Sequence, residues 1–130
     1  MPALDHLVNQ QVLLVDDDKI TQWVFSTLFD NHNIHLIIAE TGQEAVDLLT
    51  KNKVGLIFMD IMLPDWDGMH TLSQIKRKNG ECAPVLGVTS SLNKELHQQA
   101  IHAGMNDVLL KPVHRKILFN KMREFSSINL

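Results

Sequence analysis

Five short apolar runs punctuate the chain, at residues 12–15, 35–39, 54–59, 85–88 and 108–110. They are nearly continuous rather than alternating, the pattern of strands covered on both faces. Each is followed by a stretch with apolar residues three or four apart: Ile20/Val24/Leu28, Ala45/Leu48/Leu49, Met69/Leu72/Ile75, Leu92/Leu96/Ala100/Ala103 and Ile117/Leu118/Met122/Phe125. That spacing lays one apolar stripe along a helix. Thr41 and Glu44 are spaced as a capping box opening the second helix, and Gly104 suits the end of the fourth. Five strand-then-helix units in series predict an open, largely parallel sheet with helices on both faces. Right-handed crossovers leave few topologies, and such sheets bind ligands beyond the carboxyl ends of their strands.

At 130 residues the chain is about one domain long. The expected layout is a polar N-terminal tail over residues 1–10, a folded domain over 11–125 and a fraying C-terminal tail over 126–130. Twelve basic against 15 acidic side chains give a net charge of −3, which argues against direct nucleic-acid binding, since that draws on a basic surface. No apolar run approaches a bilayer span, and no basic patch leads into an apolar leader. The single cysteine, Cys82, has no internal disulfide partner. A cytoplasmic, reducing location is the expectation from these features.

Chemistry concentrates where the predicted strands end. The first run leads into Asp16-Asp17-Asp18, the third into Asp60, the fourth into Thr89-Ser90-Ser91 and the fifth into Lys111-Pro112. With strands one, three, four and five as neighbours, these groups share one pocket. Carboxylates that crowded raise one another's proton affinity unless a cation is present. A hard divalent ion such as Mg²⁺ takes one or two of them and keeps positions for water and phosphate oxygens. Lys111 adds a point charge suited to a phosphoryl oxygen, and Thr89 a hydroxyl that donates and accepts. A carboxylate can itself be the nucleophile and become an acyl phosphate. The transfer then needs mainly in-line positioning and neutralised charge. The set reads as a phosphoryl-accepting site. Taken singly, an Asp-rich turn is ordinarily a helix cap and a lone lysine an ordinary surface residue. Asp60 differs, because apolar runs on both sides imply burial, which is costly for an unpartnered carboxylate.

These segments resemble the receiver domain of two-component response regulators and hybrid histidine kinases. Val12-Leu13-Leu14-Val15-Asp16-Asp17-Asp18 is similar to that family's first strand and acidic pair. Residues 59–68, Met-Asp-Ile-Met-Leu-Pro-Asp-Trp-Asp-Gly, resemble its phospho-acceptor strand and loop. Residues 84–90 resemble the strand ending in Thr or Ser, and residues 104–112 the lysine strand. The resemblance covers about residues 11–125. It implies a flavodoxin-like doubly wound (βα)5 sandwich with a parallel sheet ordered 2-1-3-4-5. Asp60 would be the phosphorylated residue. Asp17, Asp60 and the backbone carbonyl of Met62 would bind Mg²⁺, with Asp16 acting through a water. Thr89 and Lys111 would contact the phosphoryl group, and the Lys111–Pro112 peptide would be cis. The implied role is a phosphorelay switch, not an enzyme with turnover. Its donor would be a histidine kinase or histidine phosphotransfer protein, and it would act on a downstream protein through its helix 4 and strand 5 face.

The chain also departs from the family pattern. Val108 stands where Tyr or Phe often precedes the lysine by three residues, which points signalling toward the loop after Thr89 instead of an aromatic switch. Trp66 and Leu63 stand where Met is common, and Ser90 where Ala follows the Thr. Val113 after Pro112, with Gly-Met-Asn-Asp at 104–107, leans toward the hybrid-kinase type, a stand-alone receiver being the alternative. Two other classes fit less well. A haloacid-dehalogenase-like phosphatase would match Asp16-x-Asp18, yet Lys19-Ile20 replaces the Gly-Thr expected next. A flavodoxin-like cofactor binder would need a Ser/Thr/Gly-rich phosphate loop, where this chain has three aspartates. The histidines His6, His32, His35, His70, His97, His102 and His114 lack ligand spacing. Trp23 and Trp66 read as packing or partner contacts, and Lys76-Arg77-Lys78 as the solvated end of the third helix.

Overall fold

A computed structural model describes residues 10–130 as five strands alternating with five helices. These are β1 (Gln11–Val15), α1 (Lys19–Phe29), β2 (His35–Ala39), α2 (Gly42–Lys51), β3 (Leu56–Asp60), α3 (Gly68–Asn79), β4 (Val85–Thr89), α4 (Lys94–His102), β5 (Asp107–Leu110) and α5 (Arg115–Phe125). All pairings are parallel, in the order β2-β1-β3-β4-β5. This is the flavodoxin-like doubly wound fold, with the chain reversing direction across the sheet between β1 and β3.

The continuous apolar runs arise because alternate residues feed two separate cores. Val12, Leu14 and Phe58 join Phe25, Phe29, Leu118 and Met122 on one face. Leu13, Val15, Ile57 and Met59 join Ala45, Leu72 and Ile75 on the other. The central strand β3 is buried throughout, whereas the edge strands are not: His35 of β2 is exposed, and in β5 only Leu109 is buried.

Three predicted stripes need correction. In α1 the core-facing residues are Thr21, Phe25 and Phe29, while Ile20 is 73% exposed. The Asp18 cap starts the helix so that the stripe falls one residue later, at the 3.6-residue period. In α4 only Ala100 is buried. Leu92 precedes the Asn93 cap and is exposed. In α5 Phe119 takes the inward position expected for Ile117, which is half exposed.

The helix signals hold locally. Thr41 Oγ1 accepts the Glu44 N–H at 3.0 Å. Glu44 reaches back to the N–H of Glu40, one residue before the position a capping box would use. Gly104 has φ +114°, a conformation that Gly adopts without a Cβ penalty.

The segment expected as a C-terminal tail has no helix or strand but makes contacts. Gln10 Oε1 accepts the Asn129 N–H at 2.7 Å, and Gln10 Nε2 donates to the carbonyls of Asn129 and Asn33. Ile128 is buried in the core that holds Phe29 and Met122. An amide reading two backbones thus closes the C-terminal segment onto the start of β1. Most of the predicted N-terminal tail lies outside the described residues.

Candidate functional site

Strand register assembles the site. Val15 pairs with Met59, so Asp16 and Asp60 follow at the same level on adjacent strands. Asp60 pairs with Val88, which puts Thr89 one step beyond, and Thr89 pairs with Leu110, which puts Lys111 one step further. Backbone bonds continue past the strands, from Asp16 N–H to the Ala39 carbonyl at 2.9 Å and from Lys111 N–H to the Thr89 carbonyl at 2.8 Å. The functional side chains therefore stand on rigid backbone. The Lys111–Pro112 peptide is cis.

One ammonium serves three carboxylates. Lys111 Nζ lies 2.8 Å from Asp16 Oδ2, 3.2 Å from Asp60 Oδ2 and 3.8 Å from Asp18 Oδ2. One carboxylate oxygen from each of Asp16, Asp17 and Asp60 falls within a 4.8 Å span, with Asp16 and Asp60 buried and Asp17 exposed. When all are ionised, three negative charges against one positive leave −2 on the cluster. Asp16 is wholly buried. Its Oδ1 accepts the Asp18 N–H at 2.9 Å, while its Oδ2 has the close ammonium but no donor in hydrogen-bond geometry. A buried carboxylate oxygen met only by an ammonium, beside two further hard oxygen donors, fits a divalent cation of the Mg²⁺ class.

Burial pushes the Asp16 carboxyl up to about 6, Asp60 adding to the rise and Lys111 opposing it. For Lys111, burial pulls down, but the carboxylates of Asp16 and Asp60 beside it outweigh that and raise the ammonium above its ordinary value. Asp18 is lowered, first by the hydrogen bond from Thr21. It is the helix cap of the acidic turn: Oδ1 accepts the Ile20 N–H and Oδ2 the Thr21 hydroxyl.

The sequence pattern described as response regulator receiver domain matches residues 12–123. The chain belongs to the receiver family. The sensor histidine kinase RcsC of Escherichia coli is 30% identical over 117 residues, which cover 87% of this chain and 12% of RcsC. The receiver domain of Saccharomyces cerevisiae Ssk1, solved with the histidine phosphotransfer protein Ypd1, matches at TM-score 0.79 and 29% identity over 89% of this chain and 88% of that one. A CheX–CheY–BeF3–Mg²⁺ complex from Borrelia burgdorferi matches at TM-score 0.78 and 26% identity over 90% of each chain. The chain spans 28% and 34% of the length of two further relatives, a cyclic di-GMP phosphodiesterase of Thermotoga maritima and the regulator of RpoS of Escherichia coli.

Asp16, Asp17, Asp60, Met62, Thr89 and Lys111 all lie at the carboxyl end of the sheet. Thr89 is 2% exposed, and its hydroxyl accepts the Ser91 N–H at 3.1 Å, so it is engaged with its own loop. Met62 donates its N–H to Asp60 Oδ1 at 3.0 Å, which holds the loop after β3 over that carboxylate. Val108 leaves a hollow of about 220 Å³ between α4 and β5, lined by His97, Ile101, His102 and Asp107 among others. Ring nitrogen Nε2 of His97 bonds the Ser91 carbonyl at 2.7 Å, tying α4 to the Thr89 loop. Gln22 was not visible in the sequence as a site residue. It donates to the Asp16 carbonyl at 2.8 Å and to Glu40 at 2.7 Å, while Lys19 pairs with Glu40. An uncharged amide on a helix face carries no local signal of that role. Among the described residues, histidines form no ligand cluster; the acidic trio is the one such group.

Proposed function

We infer that Asp60 accepts the phosphoryl group and that the chain works as a two-component switch whose donor is a phosphohistidine. The observation that carries this is the convergence of Asp60 with Asp16, Asp17 and Lys111, the ammonium 3.2 Å from the acceptor carboxylate. In the transfer, an Asp60 oxygen forms the bond to phosphorus as the phosphorus–nitrogen bond of the donor breaks, and the leaving imidazole nitrogen recovers its proton. Lys111 is held between Asp16 and Asp60, ready to follow a phosphoryl oxygen as it arrives. Thr89 would turn its hydroxyl from Ser91 toward that group, and the loop and α4 behind it, linked through His97, would shift population with it. Asp17, Asp60 and the Met62 carbonyl would hold Mg²⁺, with Asp16 through a water. The ion would neutralise charge on the phosphoryl oxygens.

Two exposed apolar surfaces support the partner reading. Ile20 and Trp23 on α1 are 73% and 68% exposed, and a hollow of about 320 Å³ between α1 and Pro112–Val113 opens at Lys111. A donor protein must rest on this rim for its histidine to reach Asp60. Leu92, Ile101 and Leu110 are exposed near α4 and β5, a surface suited to a downstream partner. A cytoplasmic setting accords with that exchange between proteins; no described helix is long and apolar enough to cross a membrane.

The test is phosphorylation by acetyl phosphate and by a phosphohistidine protein, each with and without Mg²⁺. The expected result is a Mg²⁺-dependent mass gain of one phosphoryl group that Asp60→Asn abolishes with the far-UV CD spectrum unchanged. A phosphoryl group retained in Asp60→Asn would overturn the assignment.

A further inference from the structure

The loop between β3 and α3 carries Met62, and its tip is fastened to a different part of the molecule. At its base, Gly68 donates its N–H to the Ile61 carbonyl at 2.7 Å, and Met62 and Asp67 form an isolated antiparallel bridge. A Cβ on Gly68 would lie 2.6 Å from the Asp60 carbonyl oxygen, so the loop returns as close to the acceptor as a backbone can. At its tip, Asp65 reaches the first turn of α2. Its Oδ1 accepts the Gly42 N–H at 2.8 Å and its Oδ2 the Gln43 N–H at 3.0 Å.

The start of α2 therefore has two caps of different origin. Thr41, the local one, takes only the Glu44 N–H, and the two amides before it are left to the loop. Three free amides and the positive end of the helix favour a carboxylate there. The Gly42 and Gln43 amides outweigh the effect of burial and hold Asp65 below the ordinary Asp value. Next to it, Trp66 lies against Gly42 so closely that a Cβ would meet its Cε3 at 2.7 Å and Thr71 Oγ1 at 2.4 Å. Trp66 also makes an edge contact with His70 of α3 at 4.9 Å between ring centroids. Asp65 and Trp66 thus seat the loop tip between the first turns of α2 and α3.

The geometry points to Asp65 as a positioning residue for the metal and phosphoryl site: by fastening the loop tip to α2, it fixes where Met62 stands over Asp60. This rests on the reading of the Asp60 pocket as a Mg²⁺-dependent acceptor site. Asp65 itself need touch neither ion nor phosphoryl group. Freed from α2, the loop would sample positions in which the Met62 backbone no longer faces the cluster, and cation binding would carry the ordering cost.

The test is a Mg²⁺ titration in a Trp23→Phe background, where Trp66 is the sole tryptophan and reports on the loop by fluorescence, with calorimetry as a second readout. Asp65→Ala is expected to weaken Mg²⁺ binding about 10-fold, the scale of losing a group that orients a metal ligand. Asp65→Asn keeps one acceptor oxygen for one of the two amides and should fall between Asp65→Ala and the parent. Thr41→Ala is the control, because it removes the other cap of the same helix without touching the loop. It should lower the thermal midpoint and leave Mg²⁺ affinity within about twofold of the parent, as a purely structural cap does. Equal Mg²⁺ affinity in folded Asp65→Ala and the parent overturns the inference alone. So does a Thr41→Ala loss as large as that of Asp65→Ala. A parent that binds no Mg²⁺ overturns both the inference and the acceptor-site reading.

Discussion

Asp16 and Asp65 sit on neighbouring loops and meet opposite environments. Asp16 is wholly buried, faces a single ammonium, and is pushed up to about 6 by burial. Asp65 is exposed, accepts two backbone N–H groups at the start of a helix, and is pulled down. The difference separates two uses of a carboxylate. One is held at a cost and is set to gain from an arriving cation; the other is satisfied in place and holds the scaffold. Aspartates of the first kind belong where charge will change, since a fully compensated group has nothing further to offer a ligand.

The largest expected effect comes from removing the cation that makes Asp16 tolerable. Lys111→Met leaves Asp16 and Asp60 facing each other, and in EDTA near neutral pH it should cost about 2–3 kcal/mol of unfolding free energy, toward the low end for breaking a buried ion pair because the pocket opens to solvent. Urea denaturation measures it. The loss should shrink near pH 5, where Asp16 takes a proton in the variant. A variant as stable as the parent at both pH values would show that the pocket does not burden the fold.

A second effect separates the two aspartates by sign. The folded-state value of Asp16 is raised from 3.8 to about 6, so the folded chain binds that proton more tightly than the unfolded one. Its contribution is therefore fully present below about pH 4 and is lost as pH rises through about 6, a difference of about 2–3 kcal/mol at 1.36 kcal/mol per unit. In EDTA the parent should lose stability between about pH 4 and pH 7 from this group, and Asp16→Asn should flatten that slope. Mg²⁺ should flatten it in the parent by supplying the missing counter-charge. A slope unchanged in Asp16→Asn would assign the pH dependence to another group.

How much of this was legible in the sequence follows the same division. Asp16, Asp17, Asp60, Thr89 and Lys111 were readable because each ends a strand, and parallel register brings strand ends together whatever the helices do. The sheet itself was readable from five near-continuous apolar runs, since strands covered on both faces have no polar side to show. The runs said less about the edges, where His35 and Leu110 are exposed although their runs look as apolar as the central ones. The α1 stripe was displaced because Ile20 and Val24 are as hydrophobic as Phe25, and only the Asp18 cap fixes which residues turn inward. Asp65 and Gln22 were not legible as contributors. Their partners lie 23 and 18 residues away, at Gly42 and Glu40, and a polar residue on a loop or helix face does not announce a partner at that distance. The contacts at the end of the chain were hidden for a related reason: Gln10 and Asn129 look like tail residues until the fold sets them side by side.

The smallest effect completes the contrast from the other aspartate. Asp65 is lowered, so its contribution is present above the ordinary Asp value near 3.8 and is lost as pH falls below it, the reverse of Asp16. Asp65→Ala should cost about 1 kcal/mol at neutral pH, the ordinary worth of a helix cap. That cost should fade only as the pH drops below about 3.8 and through the lower folded-state value, where the parent's own carboxyl takes its proton and its hold on the Gly42 and Gln43 amides weakens. Chemical denaturation of parent and variant across about pH 6 to 2 gives the difference directly, with Asp16→Asn as background so that the opposing titration does not mask it. A difference that persists undiminished into acid would mean that Asp65 contributes through loop packing around Trp66 and not through its charge on the α2 amides.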